Sequence, residues 1–391
     1  MIIATPTSSP IPNPRLILET YPGPSYNDGY PRYFTEFKNK LYFASDAPGT
    51  PYVKTNIYVT DGIGLDIGTL FVDVDPPQNG NVRSFYVYLD YMYFSAHDTV
   101  NAGAWGNQLY RTDGTVVGTN YFKKVDSQNG DPKNFYTFND TLYFNGGNVL
   151  WKSNGTVEGT ISLSAAYPAY LINYNNLLYF SSIDATYGNE LYVYDGVSVR
   201  IALDINPGSA GSYPQYLVKF NDWLYFSAND GTHGDELMRS NGTFVELVKD
   251  ILVGPGNSEP KYLFVYKNKI YFQANDGTTG IELWSSDGST AGTTLLKDIC
   301  TGSGSSVPWE FAILNNILYF SADDGPSHGR ELWRSDGTAA GTYLEVEISV
   351  GPNSSEVYWI TPFKNSLYMV AFQYTTGNEA WKYTPSIPKY P

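Results

Sequence analysis

Cysteine is nearly absent: the 391 residues include one, Cys300. A single thiol closes no internal disulfide, so packing and hydrogen bonding have to hold the fold. Histidine is almost as scarce, with His97, His233 and His328 alone. That is too few to gather the clustered ligands of a zinc site, since the last two fall in loops of units five and seven, with a whole unit between them. No run of about 18 apolar residues is present, which excludes an ordinary transmembrane helix. The opening Met1-Ile2-Ile3-Ala4-Thr5-Pro6 lacks a basic n-region and an apolar h-region, so no signal peptide is legible there. Positive charge is also short: 24 Lys and Arg stand against 39 Asp and Glu, a net charge of −15. Such a field repels phosphate backbones and anionic lipid, which argues against nucleic acid and the membrane surface, as the missing apolar run argues against membrane insertion, and favours cations.

Aromatic side chains are abundant, at 16% with 35 Tyr, a composition suited to sheets. An apolar-aromatic triplet recurs eight times, each after a two-residue turn rich in Asn and Asp. Lys38-Asn39 precedes Leu41-Tyr42-Phe43, Asn139-Asp140 precedes Leu142-Tyr143-Phe144, and Asn315-Asn316 precedes Leu318-Tyr319-Phe320. Asn and Asp tolerate the positive φ that a tight hairpin needs. The triplets start at 41, 92, 142, 178, 224, 270, 318 and 367, spacings of 51, 50, 36, 46, 46, 48 and 49. These suit propeller blades, with a shortened third unit. Asp-Gly or Asn-Gly turns follow, as in Leu332-Trp333-Arg334-Ser335-Asp336-Gly337, then a fourth extended stretch such as Leu295-Leu296-Lys297 and a Gly/Pro/Ser linker.

The eighth unit stops after a third strand near Tyr383, whereas Arg15-Leu16-Ile17-Leu18-Glu19-Thr20 reads as a fourth strand without a unit. The expected fold is therefore all-β: an eight-bladed β-propeller with four antiparallel strands per blade, the last blade closed by the N-terminal strand. One domain is expected over residues 15–383, with the N-terminal strand at 15–20, an N-terminal tail at 1–14 and a Pro-rich C-terminal tail at 384–391.

Glu331-Leu332-Trp333, then Asp336-Gly337-Thr338 and Gly341-Thr342, with a second copy beginning Glu282-Leu283-Trp284, resembles the ELWxxDGT repeat family, also described as hyalin-like. The resemblance implies a propeller in secreted or surface-exposed proteins and brings no catalytic residues with it.

Chemistry is sparse in the residues themselves. No Gly-x-Ser-x-Gly elbow stands in a strand-to-helix context, and Cys300 reads as a small packing residue rather than a nucleophile. Asp230, Asp276 and Asp324 recur in one loop per unit, each before Gly, with Asp98 and Asp184 as weaker equivalents. Carboxylates there would suit Ca²⁺ as a cofactor; the stronger reading is that Asp before Gly bonds its own turn. No enzyme is expected. The residues point to an extracellular or surface binding module, adhesin-like or lectin-like, taking a glycan or surface protein through loops carrying Tyr21, Tyr26, Tyr30, Trp105 and Tyr187. The alternative is a structural component of a cell-surface or virion assembly. An enzyme with a site in the central channel ranks third, on fold analogy alone.

Overall fold

The turns before the triplets form as their side chains dictate. Both central residues have positive φ at Lys38-Asn39, Asn139-Asp140, Asn175-Asn176, Lys267-Asn268 and Asn315-Asn316, and the first alone at Leu89, Asn221 and Lys364. Each turn joins a first strand to a second strand that carries the triplet, for example Lys261–Tyr266 to Lys269–Asn275. A third and fourth strand follow antiparallel, here Ile281–Ser286 and Thr294–Lys297. The computed structural model describes residues 14–18, 29–46, 55–63, 68–74, 80–97, 106–126 and 129–385. Asp98, Tyr21, Tyr26, Trp105 and the end of the expected N-terminal strand, Glu19-Thr20, lie outside them.

The expectation of a closed eight-bladed propeller is corrected by the sheet topology. The described residues make seven sheets, six of four strands and one of seven, and none of these sheets closes on itself into a barrel. The seven-stranded sheet arises where units three and four share one strand, Ile161–Tyr174. Ala166 pairs with Val149 on one side and Ile183 on the other. The reason lies in the shortened spacing: Ala165-Ala166-Tyr167-Pro168 replaces the Gly/Ser linker found elsewhere, so the chain runs on without leaving the sheet. At the other end of the chain, Arg15–Leu18 pairs antiparallel with Gly377–Tyr383, Leu16 opposite Trp381.

The triplets supply the core. Leu224, Phe226, Ile270, Phe272, Leu318 and Phe320 are fully buried, and each cluster joins residues of neighbouring units, as where Tyr225 and Phe220 pack with Ile270, Phe272 and Trp284. Both faces of these inner strands are covered, so polar alternation is lost. Neighbouring units are also bridged at the Asp-Gly turns, where a cation of one unit donates to a turn carbonyl of the next: Arg239 to Gly288 at 2.8 Å, Lys267 to Asp336 at 3.0 Å and Arg111 to Gly155 at 2.9 Å.

The Glu at the start of the Glu-Leu-Trp copies, and of the related Glu-Leu-Tyr and Glu-Leu-Met, is fully buried. Glu190, Glu236, Glu282 and Glu331 are 0% exposed. The Glu282 carboxylate accepts the N–H groups of Ile299, Cys300 and Ser306 and the Ser306 hydroxyl, at 2.8, 3.3, 2.9 and 2.6 Å. Glu236 does the same with Ile251, Leu252 and Ser258. The carboxylate thus satisfies the linker's buried backbone. In turn the Ser258 and Ser306 carbonyls accept from Asn275 and Asp323 at the end of the next second strand. Where Gln108 replaces Glu, Gly130 replaces the serine, and its carbonyl accepts from Gly147.

Two outcomes follow from this carboxylate. Glu236→Gln and Ser258→Gly each lose about 1–3 kcal/mol by chemical denaturation. The double variant, which copies Gln108 and Gly130, falls short of their sum by about 1 kcal/mol or more; strict additivity would refute the coupling. Burial pushes the Glu331 carboxyl up to about 7, against its hydrogen bonds from Ser355, Ile348 and Ser349. The unfolded chain releases that proton near the ordinary glutamate value, about 4.3. Between the two values the folded state therefore binds more protons, and stability present at lower pH is lost as pH rises toward 7. Melting temperature falls from pH 5 to pH 7.5, and Glu331→Gln flattens the fall; a rise over that interval would contradict the assignment.

Candidate functional site

Each linker delivers the chain into a first strand through a fixed backbone device. A residue with positive φ stands two before the strand, and another stands at its second position: Tyr213 and Tyr216, Glu259 and Tyr262, Val307 and Glu310, Glu356 and Trp359, Tyr30 and Tyr33. The second of each pair sits in a bulge, where the register shifts between, for example, Gln215 and Val218. None of these is Gly, so each costs on the order of 1–3 kcal/mol and persists because its surroundings impose it. The restraint is visible: the N–H groups of Tyr213, Glu259 and Val307 donate to Asn189, Asp235 and Ile281 carbonyls of the preceding unit at 3.0, 3.1 and 3.1 Å. The Tyr30 N–H donates likewise to Asn378 at 3.2 Å.

First strands of successive units lie beside one another, and that of unit one also lies beside that of unit eight. Their bulge residues consequently form a mouth. Aromatic rings run through it: Tyr170 to Tyr216 at 5.1 Å, Tyr216 to Tyr262 at 5.0 Å, Tyr262 to Trp309 at 6.1 Å, Trp309 to Tyr358 at 5.0 Å, and Trp359 to Tyr33 at 4.7 Å. In units two and three Ser84 and Asn134 take the equivalent places, which leaves that side polar. Tyr30, Tyr167 and Tyr213 stand about half exposed at the rim.

Charge is interleaved with the rings. Glu259 pairs with Lys261 at 2.6 Å and Asp131 with Lys133 at 3.1 Å. The buried Arg330 donates to the Val307 and Ser306 carbonyls and lies over the Trp309 ring. Burial holds the Glu310 carboxyl above its usual range, against N–H donors at Trp359 and Ile360. Burial and the neighbouring Glu356 push the Tyr358 hydroxyl up to about 12.

The acids foreseen as calcium ligands sit elsewhere, in separate loops. Asp230 accepts the N–H groups of Thr232 and His233, Asp276 those of Thr278 and Thr279, and Asp324 that of His328. These are turn bonds, and among the described residues no three metal-ligating side chains come together. Asp230 and Asp324 also hold Nδ1 of His233 and His328, at 2.7 and 2.6 Å, which raises both imidazoles above their ordinary value. No Ser or Cys among the described residues hydrogen-bonds to either ring. The Cys300 sulfur packs beneath the next Asx loop, close to Gly325, in the place Leu252 takes beneath Gly277.

No family model and no curated protein matches the sequence, so the ELWxxDGT resemblance rests on the motif residues alone. Solved structures do match. A puromycin-hydrolyzing peptidase of Mycobacterium tuberculosis is similar at TM-score 0.52 and 11% identity, over 91% of this chain and 62% of that one. A prolyl endopeptidase from a study of inter-domain dynamics in catalysis and specificity is similar at 0.51 and 12%, over 88% of this chain and 52% of that one. Prolyl oligopeptidase B from Galerina marginata is similar at 0.50 and 9%, over 89% and 56%. The chain spans between about half and three fifths of these proteins. At such identities the likeness shows the fold alone: all-β, with propeller-like neighbours. The expectation of a non-enzymatic surface module for glycans or proteins, or of a structural component, is corrected to this extent: the solved structures that share the fold are peptidases.

Asp276→Ala removes the turn bonds and costs about 1 kcal/mol. Millimolar Ca²⁺ leaves the melting temperatures of both forms unchanged; a calcium-dependent rise in the parent that Asp276→Ala abolishes would restore the metal reading.

Proposed function

We propose that this chain serves peptide hydrolysis as the substrate-admitting β domain of a peptidase-type protein, with extended peptide segments engaging the mouth of the first strands. The carrying observation is the rim itself: aromatic and charged side chains held at backbone-fixed positions, where rigid anchors bind at low entropic cost. The aromatic arc offers apolar faces for side chains, and the polar side at Ser84 and Asn134 breaks its symmetry. Likeness to longer peptidases supports peptides over sugars as the ligand class. Under this reading the mouth admits and orients peptide, and bond cleavage is the work of groups other than the rim.

Fluorescence anisotropy with a library of unstructured peptides of about ten residues tests it. Binding is expected at micromolar to millimolar Kd, roughly −8 to −4 kcal/mol, and Tyr213→Ala weakens it several-fold without changing the melting temperature. Absence of binding by every library peptide at millimolar concentration, or indifference to Tyr213→Ala, would overturn the proposal.

A further inference from the structure

At the rim between units eight and one lies a cleft of about 560 Å³, lined by Tyr30, Glu356, Tyr358, Trp359 and Phe372. We infer that this cleft is a subsite for the side chain of a lysine in the admitted peptide, an inference that rests on the peptide-admitting reading above. Among the described residues, Glu356 is the one charged side chain in the lining. Its Oε2 accepts the Tyr358 hydroxyl at 2.8 Å, and its Oε1 takes no hydrogen bond among the described residues. One carboxylate oxygen is therefore available to a donor from the cleft.

The walls suit a cation. Electron-rich ring faces attract an ammonium, and a neighbouring carboxylate adds to that attraction. Trp359 is held against Tyr33 at 4.7 Å and remains 36% exposed, so its place is fixed while its surface is open. Arg330 lies within electrostatic reach of Glu356, but its guanidinium is spent on the Ser306 and Val307 carbonyls and the Ser321 hydroxyl, and it does not line the cleft. A net charge of −15 favours the same sign of ligand.

Size and geometry narrow the cation. The volume exceeds what an amine needs and accommodates a long alkyl stem along Trp359 and Phe372, with the charged head at Glu356. A guanidinium binds best to both oxygens of a carboxylate. Tyr358 occupies one of them, which leaves a single-point acceptor and favours an ammonium.

The test has two arms. In the first, n-butylammonium is titrated while the Trp359 indole resonance is followed by NMR, with n-butanol as the neutral control. A saturable millimolar shift is expected, absent with butanol and lost in Glu356→Gln; no saturable shift overturns the subsite whatever peptides do. In the second, peptides bound by the protein are compared with their Lys→norleucine and N-acetylated forms. Norleucine is expected to weaken binding about tenfold in the parent and not in Glu356→Gln. Equal binding of norleucine peptides overturns the inference while leaving peptide admission intact, and a loss on N-acetylation alone overturns the choice of lysine. Failure of every peptide, with the ammonium still bound, counts against admission instead.

Discussion

A carboxylate with no access to water reaches from the third strand of one unit into the linker that leads to the next, and the remaining structure depends on that contact. The linker has to cross a region where water is excluded, so its N–H groups need acceptors. Glu282 supplies them to Ile299, Cys300 and Ser306, and the Ser306 carbonyl then accepts from Asp323 in the following unit. One side chain thereby fixes the distance between two sheets and the path of the chain that joins them. The positive-φ residue at the next rim, Val307, lies one step further on and donates to Ile281, beside the same glutamate. The rim geometry is thus a product of the staple.

Unit three tests this dependence within the molecule. Val149 stands at the place of the glutamate, before Leu150-Trp151, and here no separate linker exists: the strand Ile161–Tyr174 continues directly into unit four. Where there is no linker to satisfy, no buried carboxylate is present. Gln108 with Gly130 shows the intermediate case, in which one oxygen serves Val125 and Asp126. The rest of the repeat motif is a closed local network. Asp336 accepts the Thr338 N–H and hydroxyl, and Ser335 and Thr342 share a hydrogen bond. Gly337 has φ 100, and a Cβ there would come within 2.9 Å of the Tyr271 hydroxyl.

Strands, hairpins and the pairing of the N-terminal segment were legible because they rest on local chemistry: Asn and Asp at positive φ, Asp-Gly turns and apolar triplets. The fused sheet was signalled by the spacing of 36 but read only as a short unit, since spacing alone does not show which strand is shared. The mouth was not legible. Outside units two and three its strained positions carry Tyr, Trp, Glu and Val, none of which announces positive φ, and backbone bonds from the preceding unit hold several of them. Tyr30 was noticed as a loop aromatic without its place at the rim. The Asp-Gly pairs signal turns in the sequence, and the Asp230, Asp276 and Asp324 carboxylates accept N–H groups of their own loops. Function is not legible in the residues themselves, and the likeness to solved structures shows the fold alone.

The central claim is that linker backbones are held as firmly as strands by the glutamates. Native-state hydrogen exchange at the Ile251, Ile299 and Ile348 amides addresses it directly. The account predicts protection close to that of the core strands, reduced selectively at Ile299 in Glu282→Ala. Exchange at the rate of exposed loops, in the parent protein, would contradict it.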